Sequence, residues 1–228
     1  MRTGLPIDGF VQVAGVRSLD EALLLLDCGV DLLGFPLRLP VHAEDLSEAE
    51  TRDVIAGVDA AACVLITYDR DPQSLVELCR FLNVGTVQLH ADVPPDTLAR
   101  VKSLTPISII KSYVVGREGM SPADFARAYA PVCDAFITDT FDPATGASGA
   151  TGHVHDWSVS AELVRHSPRP VILAGGLNPS NVLQAILAVR PAAVDVHTGV
   201  EAPDGSKDRR LVRAFVQAAR DGFAKVFS

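Results

Sequence analysis

A chain of 228 residues, 48% hydrophobic and 21% charged, is long enough to bury one substantial core and too apolar to be disordered. A formal net charge of -8 excludes a broad basic surface for nucleic acid, although backbone amides still suit a small anion. Cys28, Cys63, Cys79 and Cys133 lie far apart, form no CxxC and read as buried thiols of a reducing compartment. MRTGLPIDGF lacks a basic region followed by an apolar run, and no stretch of roughly 18 apolar residues occurs, so the expectation is a soluble cytoplasmic protein.

Along the chain, short apolar runs alternate with segments of helical period. A run at 10–13 is followed by a helical pattern at 18–28, and 30–35 by 46–58. Runs at 62–66, 85–89 and 107–110 precede helical patterns at 72–82, 94–104 and 121–130. The last three pairs are 135–138 with 157–166, 170–174 with 178–189, and 193–197 with 208–223. Ser18, Ser47, Asp71-Pro72, Ser121-Pro122 and Asn178-Pro179 supply helix starts. The strands are nearly all apolar, as expected of parallel strands covered on both faces. Eight evenly spaced units predict a single-domain α/β fold, a (β/α)8 TIM barrel over 1–228, rather than a doubly wound sheet.

In such a barrel the active site forms just past the strand ends. That filter selects Ala14 and Gly15, Phe35 to Arg38, Thr67 and Tyr68, His90, Lys111, Asp139, Gly175 and Gly176, and His197 to Gly199. VILAGGLNPSN and VDVHTGVE place Gly175, Gly176, Thr198 and Gly199 after strands seven and eight, where barrels hold phosphate on backbone amides. The loop ATGASGATG, ending at Gly152, is long enough to cover a substrate and to add a third phosphate contact.

VQLHAD, FITDT, GATGHVHDW, VILAGGLNPSNV and VDVHTGVE together carry a pattern over nearly the whole chain. The sequence resembles the phosphoribosylanthranilate isomerase family, barrel enzymes of the ribulose-phosphate-binding type in tryptophan biosynthesis. The resemblance implies an Amadori rearrangement, an aldose–ketose isomerisation of an N-phosphoribosyl amine. It implies no cofactor, a small phosphorylated substrate as partner, and a monomer or homodimer. Asp139 matches the family's general acid for the ring oxygen, and Asp195 matches an aspartate near the phosphosugar.

The departures are at the mouth. The family's base is a cysteine in K-[IV]-C-G-[IL]; the matching segment here is Gln12-Val13-Ala14-Gly15-Val16, and an alanine methyl accepts no proton. The family's arginine in SPR[YF]VS, which holds the substrate carboxylate, is matched by Glu44 or Ala43; Arg38, several residues earlier, is the candidate replacement. The strand-eight serine pair becomes His197-Thr198, and the lysine of GGTGK becomes His153. His90, His197, Glu44 and His153 are candidates for the missing base, with histidine suited to neutral pH. Lys111 is a candidate substrate ligand, or a Schiff-base lysine in an aldolase or lyase reading. His153, His155 and Asp156 raise a metal site, but the family starts a helix at the matching Asp-Trp pair, so none is expected. A paralogue with a changed phosphosugar substrate and a non-catalytic phosphometabolite-binding barrel remain as alternatives.

Overall fold

The computed structural model describes residues 9–40, 44–115, 119–140 and 156–227. Its strands are β1 (Phe10–Ala14), β2 (Leu32–Leu37), β3 (Cys63–Thr67), β4 (Thr86–Leu89), β5 (Ser108–Val115), β6 (Ala135–Thr140), β7 (Val171–Leu173) and β8 (Ala193–Val196). The helices are α1 (Leu19–Asp27), α2 (Glu48–Ala56), α3 (Pro72–Leu82), α4 (Pro95–Leu104), α5 (Pro122–Tyr129), α6 (Trp157–His166), α7 (Val182–Val189) and α8 (Arg209–Val226). Each strand pairs in parallel with its sequence neighbour, and β8 closes on β1 with Gln12 opposite Asp195. This is the predicted (β/α)8 barrel.

The helix starts follow local chemistry. Ser18, Asp71, Ser121 and Asp208 each accept a backbone N–H of the first turn, and Ser47 with Glu50 forms a reciprocal capping box. Two of the boundaries that differ from the sequence reading have a clear local cause. α7 begins at Val182 rather than at residue 178, because Asn178 accepts from the Ser180 N–H and Asn181 accepts from the Asn178 N–H. Those side chains hold a turn in competition with the helix. β5 runs on to Val115, since Ser112 to Val115 pair with Ile137 to Thr140 of β6.

Alternation along the strands divides the interior in two. Phe10, Leu32, Val64, Ile110, Ile137 and Ile172 belong to an apolar cluster that plugs the barrel lumen. The larger cluster, with Leu33, Phe35, Leu65 and Phe136, lies between strands and helices. Above the plug, buried Gln12, Gln88, His90, Asp139 and Asp195 form a polar layer facing the strand ends. Among the described residues no helix is long and apolar enough to cross a membrane.

Candidate active site

Two loops build an anion cup. Gly175 and Gly176 follow β7 with φ of 94° and 64°, backbone that other residues adopt only with strain. Thr198–Val200 forms a single 3₁₀ turn after β8. A Cβ on Gly199 would lie 1.9 Å from the Leu177 carbonyl oxygen, so the two loops touch backbone to backbone. Asn181 fastens the first loop by donating to the Gly176 carbonyl at 3.0 Å. Asp139, Gly175, Gly176, Asp195, His197, Thr198 and Gly199 line one pocket.

The lumen layer is joined by hydrogen bonds. Gln12 Nε2 donates to Gln88 Oε1 at 2.9 Å, and Gln88 Nε2 lies 2.8 Å from His90 Nε2. With the Gln88 oxygen already accepting, its amide donates to His90, whose proton then sits on Nδ1. That Nδ1 is 3.7 Å from Asp139 Oδ2. Burial, then the charge of Lys111, hold His90 down at about 3, so a neutral N–H rather than an imidazolium faces Asp139. Gln12 also stands opposite Asp195 on the paired strand and lowers its pKa somewhat.

Burial pushes Asp139 up to about 7, partly opposed by the Thr140 N–H that donates to its Oδ1 at 2.7 Å. Asp195 is likewise pushed up to about 7, by burial first and then by the charge of Asp139. A carboxyl in that range holds its proton near neutral pH and can release it in a reaction.

His197 stands at the rim. Its Nε2 is 3.3 Å from Glu201 Oε1, which Lys207 Nζ binds at 2.7 Å. Lys207 is buried and also donates to the His197 carbonyl at 3.3 Å. On the opposite rim, the Tyr68 and His90 rings pack with centroids 5.4 Å apart.

The structure thus brings together Asp139, His90, Asp195, His197, Gly175, Gly176, Thr198 and Gly199. Arg38 and Glu44 belong to a separate rim cluster. Arg38 Nε binds Glu48 at 2.8 Å and its Nη1 binds Asp69 at 2.7 Å, while Glu44 accepts the Arg38 backbone N–H. Gly152 and His153, with Ala43 and His155, lie outside the described residues.

Lys111 is a correction. Because β5 continues past it, Lys111 lies mid-strand rather than at the mouth, one step out of phase with lumen-facing Ile110. Its Nζ lies 5.6 Å from the ring centroids of both Phe125 and Tyr129 on α5, and donates to the Ser112 carbonyl at 2.8 Å. It faces the helices and lines no part of the pocket. All four cysteines are free and buried, with burial pushing the Cys63, Cys79 and Cys133 thiols up to about 12.

Sequence reasoning missed Gln88, Glu201 and Lys207. The spacing of His197 and Glu201 hinted at their contact, since four residues apart matches one turn. Nothing in the sequence pointed to Lys207.

The family model described as N-(5'phosphoribosyl)anthranilate (PRA) isomerase matches residues 11–218. N-(5'-phosphoribosyl)anthranilate isomerase 2 of Methanosarcina mazei is 35% identical over 95% of this chain and 96% of its own. The N-(5'-phosphoribosyl)anthranilate isomerase of Desulforudis audaxviator is 37% identical over 92% of this chain and 98% of its own. The solved phosphoribosyl anthranilate isomerase of Thermotoga maritima superposes with a TM-score of 0.77 at 29% identity, covering 93% of this chain and 98% of that one.

Proposed function

The chain belongs to the phosphoribosylanthranilate isomerase family, and from that premise we propose that it isomerises an N-(5'-phosphoribosyl) amine by an Amadori rearrangement. The observation that carries this reading is Asp139, a buried carboxyl pushed up to about 7, in the same pocket as the glycine cup. The cup amides around Gly175, Gly176, Thr198 and Gly199 hold the phosphate, which needs no arginine. Asp139 then protonates the ring oxygen as the C1–O bond breaks and the amine nitrogen forms the C1=N bond. A neutral His90 N–H suits the task of steadying Asp139 as it becomes anionic. His197, Glu201 and Lys207 brace the β8 end of the cup.

Arg38 favours a changed amine half. Its guanidinium is shared between Glu48 and Asp69, and Glu44 adds a further carboxylate beside it. That rim suits an aryl or alkyl amine without a carboxylate better than an anthranilate.

The test is turnover of N-(5'-phosphoribosyl)anthranilate and N-(5'-phosphoribosyl)aniline by the full chain, beside an Asp139→Asn control. We expect turnover of at least one compound, faster on the aniline, and a drop of about 100-fold or more in the control. Wild-type rates no higher than the control on both compounds would sink the reading.

A further inference from the structure

The geometry points to Asp195 as the group that takes the C2 proton of the sugar, the step that Ala14 cannot perform. This rests on the isomerase reading above and names its second catalytic residue.

Four observations converge on it. Asp195 lines the pocket together with Asp139 and both glycine loops, so it faces the same ligand. Among the described residues its buried Oδ1 has no hydrogen-bond partner, a costly state for a carboxylate unless something else is to meet it. On the paired strand, Gln12 lies opposite Asp195, and Ala14 stands one inward-facing step nearer the mouth. Finally, the Gln12 amide beside Asp195 on the paired strand works against the upward push of burial and lowers the Asp195 pKa, without neutralising the carboxylate as an ammonium would.

The other described groups are poor proton acceptors. His90 accepts from Gln88 at Nε2 and carries hydrogen on Nδ1, leaving no lone pair for substrate. His197 turns Nε2 toward Glu201. Glu44 bonds the Arg38 backbone outside the pocket. The two lumen carboxyls also differ in their surroundings. Among the described residues, Asp139 Oδ1 accepts the Thr140 N–H and Asp139 Oδ2 lies 3.7 Å from His90 Nδ1, whereas Asp195 Oδ1 is left for the ligand. One acid and one base therefore face one ligand.

The steps balance. Asp139 gives its proton to the ring oxygen, and the nitrogen lone pair forms the C1=N iminium. Asp195 carboxylate removes the C2 proton. The C2–H electron pair becomes the C1=C2 bond, and the C1=N pair returns to nitrogen. Asp195 then delivers its proton to C1 as the 2-hydroxyl proton leaves and the C2 ketone forms. The 2-hydroxyl proton passes through solvent to the Asp139 carboxylate, so both carboxyls end as they began.

The experiment uses the full chain, N-(5'-phosphoribosyl)aniline and anthranilate carrying deuterium at C2, and cyanoborohydride to trap the open-chain imine. Asp195→Asn is expected to lower kcat by about 1,000-fold or more while the imine is still trapped; Asp139→Asn is expected to lose the trapped imine. Inorganic phosphate affinity within about threefold of wild type shows that the cup is intact in both variants. If Asp195→Asn does not fold, wild type alone is informative: part of the C2 deuterium is expected at C1 of the product. An Asp195→Asn kcat within about tenfold of wild type, loss of the trapped imine in that variant, or complete wash-out of deuterium would overturn the assignment and leave the isomerase reading standing. A wild type inactive on both compounds would overturn both.

Discussion

His197 occupies the space that a side chain at residue 15 would need: its Nε2 lies 2.1 Å from where a Cβ on Gly15 would sit. Gly15 also has φ of +78°, so position 15 suits glycine on two independent grounds. Gly15→Ala must displace the imidazole from Glu201 and strain the end of β1. We expect a loss of about 1–3 kcal/mol in unfolding free energy and a fall of about tenfold or more in kcat/KM. The check is the double variant Gly15→Ala/His197→Ala: relief of the clash should restore part of the stability, giving a non-additive cycle.

Gly199 makes a sharper case, because the atom in the way is backbone. A Cβ there would meet the Leu177 carbonyl oxygen at 1.9 Å, and a carbonyl cannot swing aside as a side chain can. Gly199→Ala should push the β7 and β8 loops apart. Titration with inorganic phosphate should show at least about tenfold weaker binding, with a smaller effect on melting temperature than a core truncation gives. Unchanged phosphate affinity would place the anion elsewhere.

Much of the fold was legible because strand and helix periods alternate so evenly. The limits of α3 follow from its pattern and its Asp71-Pro72 cap; those of α6 follow from its pattern, and the Asp156-Trp157 start is what the family resemblance implies. What was not legible was phase and partnership. The run at 107–110 carries no sign that β5 pairs with β6 through Val115, so the sequence alone puts Lys111 at a strand end. One residue of phase turns it from the lumen to the rings of Phe125 and Tyr129. The strand-end filter named Asp139 and His90, yet the chain Gln12–Gln88–His90 joins residues 76 and 2 positions apart. Only closure of the barrel brings β1 and β4 within hydrogen-bond distance across the lumen.

Asp195 should also leave a signature in stability. Its carboxyl is raised in the folded state to about 7 from an ordinary value of 3.8, so the native protein binds more protons than the unfolded chain between those pH values. This contribution is fully present below about pH 4 and is lost as pH rises through about 7. Asp139 has the same sign, and His90, depressed to about 3, has the opposite one, since it resists protonation in the fold. Comparing Asp195→Asn with wild type isolates the first effect. The variant should gain about 2–3 kcal/mol relative to wild type between pH 5 and pH 8 in denaturant unfolding. A difference that stays flat over that range would mean Asp195 is not held in a desolvated site.

Arg38 separates a structural cation from a ligand-binding one. It has φ of 56° and a side chain about one-third exposed, and it ties the ends of β2 and β3 to the first turns of α2 and α3 through Glu48, Asp69 and Ser74. Asp69 is more buried than its partner, so removing the guanidinium strands a carboxylate. Partial exposure limits the loss. Arg38→Met is therefore expected to cost about 1–2 kcal/mol in urea unfolding while KM for N-(5'-phosphoribosyl)aniline stays within about threefold. The opposite pattern, a KM raised about tenfold or more with stability unchanged, would return Arg38 to the substrate. Glu44→Gln supplies the complementary measurement: with one carboxylate removed from the rim, kcat/KM for N-(5'-phosphoribosyl)anthranilate should rise relative to the aniline compound, because the like-charge repulsion against its carboxylate is reduced.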